Sequence, residues 1–318
     1  MNKLGFLAVS TLTLLAAACS NQGPTDAAST PAAASTSTAP AAAGSKTIGL
    51  ALSTQNNPFF VALKNGAQKE AAADGYTLTV VDAQDDPAKQ ISSVEDLIQK
   101  KVSVILLNPT DSSALAGAVQ QANSAHIPVI TLDRSVDGAQ VVTHIASDNV
   151  VGGSEAAKFL IKALNNKGNV IELQGVPGTS AARDRGQGFD DEIKTSGLKI
   201  IAQQPANFDR AQGLSVTENL LQAHPDVQAI FAQNDEMALG AVRALDGAKR
   251  ANVLVVGFDG TPDGIQAVKD GKIAAIVAQQ PEMIGQLGVK NAKSVIDGEK
   301  VEAKIAVPLK LVTKDNAQ

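Results

Sequence analysis

The chain has 318 residues, of which 44% are hydrophobic and 19% are charged, and its formal net charge is -5. This length is typical of about two domains, whose cores need neither disulfides nor metal ions to be stable. Lysine and arginine are spread along the chain without a basic cluster. That distribution argues against a nucleic-acid-binding protein, which would need clustered positive charge.

Residues 1–18 have the pattern of a secretory signal peptide, with Lys3 near the start, an apolar stretch from Leu4 to Leu15 and then three alanines. The apolar stretch is shorter than the roughly 20 residues that a membrane-spanning helix needs. Cys19, the only cysteine, directly follows the alanines. This arrangement resembles the lipobox of bacterial lipoproteins, although the favoured leucine is one position early. We therefore predict that Cys19 is lipidated; the alternative is a plain signal peptide cleaved elsewhere among the alanines.

Residues 20–45 are almost entirely Ala, Ser, Thr and Pro, with Asp26 as the single charge. A segment without large apolar residues cannot bury enough surface to fold. We predict that residues 19–45 form a lipidated, disordered tether. It would hold an exported protein at a membrane, in the periplasm or at the cell surface.

From residue 46 onward, short apolar runs typical of buried strands alternate with amphipathic segments typical of helices. Pro58, Asp111 and Pro281 mark three predicted helix starts. The alternation predicts an α/β fold with doubly wound parallel sheets. The predicted strands, in chain order, are TIGLAL, TLTVVDA, VSVILLNP, IPVITLD, VVTHIAS, NVIELQG, LKIIAQQ, VQAIFAQ, NVLVVGF and KIAAIVAQ.

Hydrogen-bonding side chains follow four of these strands at the point where each strand ends. They are Asp133 and Arg134, Asn234 and Asp235, Asp259, and Gln279. In open α/β sheets, ligands bind in the crevice outside the carboxyl ends of the strands. The pattern therefore predicts a ligand site assembled from distant parts of the sequence.

Two further segments leave alternatives open. In the loop after the first strand, Asn57 precedes Pro58, Phe59 and Phe60, and it either caps the next helix or contacts a ligand. The two phenylalanines either join the core or pack against an apolar face of that ligand. In GTSAARDRG, either Arg183 or Arg185 could enter the cleft, because residues two apart do not share a helix face.

The chemistry of these candidates indicates the class of ligand. Two acids and one or two arginines roughly cancel in charge, so an ion would gain no net attraction. Polar groups that form paired hydrogen bonds, together with phenylalanine rings, suit an uncharged polyhydroxylated ring, which is a sugar. Catalytic motifs such as G-x-S-x-G and H-E-x-x-H do not occur, and the histidines are scattered. We therefore predict neither an enzyme nor a metal site, and no cofactor.

Several motifs together resemble the D-ribose-binding proteins of the type I periplasmic sugar-binding family, over residues 46–316. They are STQNNPFF, VITLDR, HIASDN, GTSAARDRG, NFDR, FAQNDEMALGA and VVGFDGTPDG. The resemblance implies two Rossmann-like lobes that close around a sugar. The N-terminal lobe would comprise residues 46–147 and 280–308, and the C-terminal lobe residues 148–279 and 309–318. Three crossing segments would form the hinge, with the residues Ser147, Asp148, Gln279, Gln280, Val307 and Pro308.

The resemblance also implies the residues of the sugar site. Ser53 would lie beside the sugar, and Arg185 rather than Arg183 would enter the cleft. Three rings would contact the sugar faces: Phe59, Phe60 and Phe208. The hydrogen-bonding residues would be Asn57, Asp133, Arg134, Arg185, Asn234, Asp259 and Gln279.

From this resemblance we expect the substrate-binding component of an ABC-type sugar importer, which binds D-ribose and delivers it to a membrane permease. The alternatives are the same role for allose, xylose or galactose, or presentation of the sugar to a chemoreceptor. Sugar-responsive repressors share the core fold but carry a DNA-binding module in place of an export signal. We expect a monomer that binds no nucleic acid.

Overall fold

The computed structural model describes residues 46–317. The predicted signal peptide, the lipidated Cys19 and the tether therefore lie outside the described residues. The strands, in chain order, are β1 (Thr47–Leu52), β2 (Thr77–Asp82), β3 (Val104–Leu107), β4 (Val129–Leu132), β5 (Thr143–Ser147), β6 (Gly168–Gln174), β7 (Leu198–Pro205), β8 (Ala229–Ala232), β9 (Leu254–Asp259), β10 (Ala275–Ala278), β11 (Lys304–Val307) and β12 (Lys310–Thr313).

Helices alternate with the strands, as the sequence pattern predicts. They are α1 (Pro58–Ala73), α2 (Pro87–Gln99), α3 (Ala116–Ser124), α4 (Asn149–Ala163), α5 (Ser180–Lys194), α6 (Arg210–Ala223), α7 (Asp235–Gly247), α8 (Pro262–Lys269) and α9 (Pro281–Ile296). Among the described residues, no helix is long and apolar enough to cross a membrane.

The strands form two six-stranded sheets. The first sheet has the order β11-β5-β4-β3-β1-β2, and the second has the order β12-β10-β9-β8-β6-β7. The pairs are parallel except β10 with β12, which is antiparallel. The predicted α/β fold class with parallel sheets is confirmed.

Each sheet has a point where the strand order reverses, and this point positions the ligand site. In the first sheet, β1 pairs with β2 on one side and with β3 on the other. In the second sheet, β6 lies between β7 and β8 in the same way. The connections leave such a central strand in opposite directions, which opens a crevice at its carboxyl end.

Alternation along β1 shows how the sheets are covered by helices. Ile48, Leu50 and Leu52 pack on one side with Leu63 of α1 and Ile284 of α9. On the other side, Ala51 packs in a separate cluster with residues of α2 and α3. Burial on both faces explains why these strands are continuous apolar runs.

Within residues 46–317 the chain passes between the sheets three times: after β5, after β10, and between β11 and β12. The six residues predicted for the hinge lie in these three segments. Gln280 Nε2 donates to the carbonyl of Pro308 at 3.0 Å, so two of the segments are tied together. Movement about them stays a prediction.

Two local features differ from expectation. At Val307 and Pro308, which the resemblance assigns to a single hinge segment, two short strands flank Pro308 and belong to different sheets. Proline has no N–H to donate to a sheet, so pairing is interrupted there. Asp111 accepts from the N–H groups of Ser113 and Ala114 and caps a turn, and the α-helix begins later, at Ala116.

Candidate ligand-binding site

A small cavity lies between the carboxyl ends of the two sheets. Of the predicted site residues, Ser53 and Gln279 are not on its wall. The wall consists of Asn57, Phe59, Phe60, Asp133, Arg134, Ala181, Arg185, Phe208, Asn234 and Asp259.

Three wall residues have backbone angles that L-amino acids rarely adopt. The φ angles are 64° at Asp133, 113° at Asp259 and 57° at Phe208. Such conformations cost about 1–3 kcal/mol each and persist only where surrounding contacts enforce them. Asp133 and Asp259 turn the chain where β4 and β9 end, and Phe208 lies in the loop between β7 and α6. Sequence patterns carry no signal for this strain.

Asp133 is held by a residue that the sequence interpretation missed. Asn108 Nδ2 donates to Asp133 Oδ2 at 3.2 Å, and Asn108 Oδ1 accepts from Ser53 Oγ at 2.7 Å. Ser53 therefore orients Asn108, which orients Asp133. Asn108 directly follows β3, so the same strand-end rule would have identified it. The other oxygen, Asp133 Oδ1, is buried and has no hydrogen-bond partner among the described residues.

Arg134 lies between two aromatic rings. Its guanidinium carbon is 5.0 Å from the centre of the Phe60 ring and 5.4 Å from that of Phe208. Its Nη1 donates to the Pro109 carbonyl at 3.3 Å, and Nε lies 3.7 Å from Asp133 Oδ2. Cation–π contacts of this kind fix the guanidinium plane. Within residues 46–317, Arg134 Nε is buried without a hydrogen-bond acceptor.

Arg185 is held from several sides. Its Nε donates to Asn149 Oδ1 at 2.8 Å, and its Nη1 donates to the Gln233 carbonyl at 2.6 Å. The same Nη1 lies 3.5 Å from Asp259 Oδ1. Asn149 and Gln233 were not identified as candidates, although Gln233 directly follows β8 and Asn149 begins α4. Both act through Arg185 instead of lining the cavity.

The two arginines of α5 have different environments, which resolves the alternative that spacing left open. Arg185 is 3% exposed. Arg183 is 51% exposed and lies within ion-pair distance of Asp137 and Asp184. Only Arg185 reaches the cavity.

Gln279 contacts the site through Asp259. Its Nε2 donates to Asp259 Oδ1 at 2.9 Å, and its Oε1 is buried without a hydrogen-bond partner in the described part of the chain. Burial raises the pKa of Asp259 to about 7, and the Arg185 charge and the Gln279 hydrogen bond oppose that rise. Burial also raises the pKa of Asp133, against the charges of Arg134 and Arg185. With two arginines facing two acids, the charges of the cavity balance when both acids are ionised.

Asn57 and Asn234 each combine helix capping with a place on the wall. Asn57 Oδ1 accepts from the Phe59 N–H at 2.9 Å, and Asn234 Oδ1 accepts from the Met237 N–H at 2.9 Å. The Nδ2 group of Asn234 donates to the Phe208 carbonyl at 3.2 Å. The two readings of Asn57 are therefore compatible. Its cap uses only the oxygen, which leaves the amide donors available for a ligand.

The two sheets also meet through the loops around the cavity. The Ser112 N–H donates to the Gly178 carbonyl at 3.0 Å, and the Ser135 N–H donates to Ser180 Oγ at 2.9 Å. Ser112 and Ser135 follow strands of the first sheet, whereas Gly178 and Ser180 follow β6. These bonds connect loops of the two sheets directly. In residues 46–317, no group of three or more His, Cys, Asp or Glu side chains is arranged to hold a metal ion.

Comparison with known proteins agrees with this geometry. A family model described as a periplasmic binding protein domain matches residues 48–300. The ribose import binding protein RbsB of Escherichia coli is 58% identical over 268 residues, which cover 84% of this chain and 90% of that protein. The protein of the same name from Bacillus subtilis is 52% identical and covers 84% of this chain and 87% of its own length.

A solved structure gives the same result for the fold. An ABC transporter periplasmic solute binding protein from Actinobacillus succinogenes, with bound D-allose, has a TM-score of 0.80 and 34% identity. The match covers 85% of this chain and 98% of that chain. The resemblance inferred from the motifs is confirmed, and the chain belongs to the periplasmic binding protein family.

Proposed function

We propose that the chain is the substrate-binding component of an ABC-type importer and binds D-ribose between its two lobes. The observation that carries this proposal is the meeting of nine sequence-predicted site residues on one cavity wall. The relatives compared above are named as ribose import or solute binding proteins, and none is named as an enzyme. No chemical step is assigned to the site.

Unused hydrogen-bonding capacity supports a polyhydroxylated ligand. Asp133 Oδ1 and Gln279 Oε1 are buried acceptors, and Arg134 Nε is a buried donor, none with a hydrogen-bond partner among residues 46–317. A sugar hydroxyl both donates and accepts, so adjacent hydroxyls can satisfy such a set. A buried polar group left unsatisfied costs about 1–3 kcal/mol, and this penalty would discriminate against the wrong epimer.

Aromatic side chains support a ring-shaped ligand. Phe59 and Phe60 come from α1 and Phe208 comes from the loop before α6, so rings reach the cavity from both sheets. The C–H faces of a sugar are apolar and pack well against such rings. Near-neutral charge in the cavity favours an uncharged sugar over an anion or a cation.

We propose that the lobes close on the sugar by moving about the three crossing segments, with the lobe boundaries and hinge residues given above. The wall residues come from both sheets, so the sugar would contact residues of both lobes only in the closed form. It would therefore bind the closed form more tightly than the open form. A ligand shifts such an equilibrium only by its difference in affinity for the two forms. The permease would then recognise the closed arrangement.

Export places the protein where it can capture sugar outside the cytoplasmic membrane, in accordance with its family. We further propose that lipid on Cys19 anchors it and that it acts as a monomer. A second role, presenting sugar to a chemoreceptor, rests on the resemblance alone.

The test is isothermal titration calorimetry of residues 46–318 with D-ribose, D-allose, D-xylose, D-galactose and D-glucose. We expect tight binding of D-ribose with one sugar per chain. D-allose is the principal alternative, because the compared structure from Actinobacillus succinogenes contains it. Heat with another sugar alone would change the ligand but keep the mechanism, and a folded protein that binds none of the five would refute the sugar-binding function.

A further inference from the structure

Asp235, the first residue of α7, is a buried acid that is not on the cavity wall. Its side chain is fully buried. Its Oδ2 accepts three hydrogen bonds: from the Gly260 N–H at 2.9 Å, from the Thr261 N–H at 2.7 Å and from Thr261 Oγ1 at 3.0 Å. All three donors belong to the turn that follows Asp259.

That turn has a costly conformation. Asp259 and Gly260 have consecutive positive φ angles of 113° and 84°. A methyl group added at Gly260 would lie 2.7 Å from the Ala278 Cβ. Glycine adopts such angles freely, so the cost falls on Asp259, and the hydrogen bonds of Asp235 go to the two amides directly after it, those of Gly260 and Thr261.

The buried position of Asp235 is not explained by helix capping, because other residues cap the neighbouring helices. Asn234 caps α7, and Thr261 Oγ1 caps α8 by accepting from the Gly264 N–H at 3.2 Å. The carboxylate is also tightly enclosed, because a methyl group added at Gly257 would lie 2.6 Å from Asp235 Oδ1. Burial and the nearby charge of Asp259 raise the pKa of Asp235. An acid buried at such cost is retained where its contacts are needed.

We propose that Asp235 is a positioning residue for sugar binding, whose carboxylate holds the 259–261 turn so that Asp259 stays beside Arg185 and Gln279. The inference rests on the proposed function, in which Asp259 binds sugar hydroxyls. Asp235 itself contacts no ligand and acts through Asp259. It also couples the start of α7, next to the wall residue Asn234, to the end of β9.

The experiment is a double-mutant cycle on the full chain, with D-ribose affinity measured by calorimetry for Asp235→Ala, Asp259→Asn and the double variant. Asp235→Ala should weaken binding about tenfold or more, because the turn loses its hydrogen-bond acceptor. In the Asp259→Asn background, the same change should cost about twofold or less, because residues that act through one another are not additive. Asp235→Asn keeps an acceptor oxygen and should lose less affinity than Asp235→Ala.

Thr217→Val is the matched control. Thr217 is fully buried in the same lobe, and its hydroxyl donates to the Gly213 carbonyl at 2.6 Å, away from the cavity. The Thr217→Val change should lower the melting temperature without changing D-ribose affinity. A folded Asp235→Ala variant with wild-type affinity for D-ribose would overturn the inference. So would a loss of affinity from Asp235→Ala that is as large in the Asp259→Asn background as in the wild-type protein.

A second readout does not depend on Asp235→Ala folding or on the sugar. In the wild-type protein, the amides of Gly260 and Thr261 should exchange slowly with solvent, and Asp235→Asn should accelerate their exchange, because a neutral amide oxygen is a weaker acceptor than a carboxylate. Unchanged exchange together with unchanged affinity in Asp235→Asn would also refute the positioning role. If the wild-type protein binds no sugar, the proposed function fails, whereas the exchange rates still report whether Asp235 holds the turn.

Discussion

The guanidinium carbon of Arg185 lies 3.8 Å from the centre of the Phe258 ring, so the arginine is stacked on an aromatic face in the second sheet. The Phe258 ring is fully buried, and a methyl group added at Gly152 would lie 2.6 Å from it. The ring therefore provides a fixed support. Together with the Asn149 and Gln233 contacts, it orients Arg185 before a ligand arrives, which lowers the entropy cost of binding.

We expect Arg185→Lys to weaken D-ribose binding by about 30-fold or more, because a lysine neither stacks flat nor donates through a planar fork. Calorimetry measures the change. Arg183→Lys, two residues away on the same helix, is the matched control. Its ion pairs are half-exposed and contribute about 0–1 kcal/mol, so affinity should stay within about twofold. Similar losses in both variants would contradict the assignment of Arg185.

Asp133→Ala should abolish measurable D-ribose binding under conditions where the wild-type protein saturates. The change removes a buried acceptor and leaves Arg134 without its neighbouring carboxylate. Loss of one partner of a buried charged pair costs about 2–5 kcal/mol. Circular dichroism should show that the fold is retained. Asp96→Ala on the exposed surface of α2 is the control, and full affinity in Asp133→Ala would remove Asp133 from the site.

Gly175→Ala tests the position of Phe208. A methyl group at Gly175 would overlap the Phe208 ring, so the ring must move away from the cavity. Overpacking of this kind costs about 1–3 kcal/mol, and we expect about tenfold weaker sugar binding. Gly247→Ala in the same lobe adds a methyl group with no atom within 4 Å and should leave affinity unchanged. An equal, small effect of both changes would show that Phe208 does not clamp the sugar.

The raised pKa of Asp259 links stability to pH. Burial raises this pKa from 3.8 to about 7. Between these values the folded protein binds more protons than the unfolded chain, so this carboxyl lowers the free energy of unfolding as pH rises from about 4 to about 7. Above that range its destabilising effect is complete.

Asp259→Asn removes that effect because an amide does not ionise. We therefore expect the variant to melt at a higher temperature than the wild-type protein at pH 8, and the difference to shrink as the pH falls towards 4. Calorimetric melting at several pH values measures this difference. Sugar binding should be weaker in the variant, so stability and affinity change in opposite directions. A difference in melting temperature that does not vary with pH would contradict the raised pKa.

Ten strands were predictable from the sequence because each is a largely apolar run, and the central strands are buried on both faces of a sheet. The residues at their ends were predictable for a related reason, since the carboxyl ends of parallel strands face one crevice. Asn108 follows the same rule at the end of β3 and was overlooked. Gln233 also follows this rule, at the end of β8, and was overlooked, whereas Asn149 is the first residue of α4 and lies outside it.

The amino-acid sequence by itself determined the α/β class, the strand-end polar residues and the balance of charge, since these depend on local pattern and composition. Only the tertiary structure decided which of the two α5 arginines is buried and which acid lies beside it. It also decided which backbone angles are strained. Arg185 and Asp259 are 74 residues apart and meet at 3.5 Å because β9 and β6, the strand that α5 follows, end at the same edge of the second sheet. Such contacts depend on how the sheets are assembled, which no local pattern encodes.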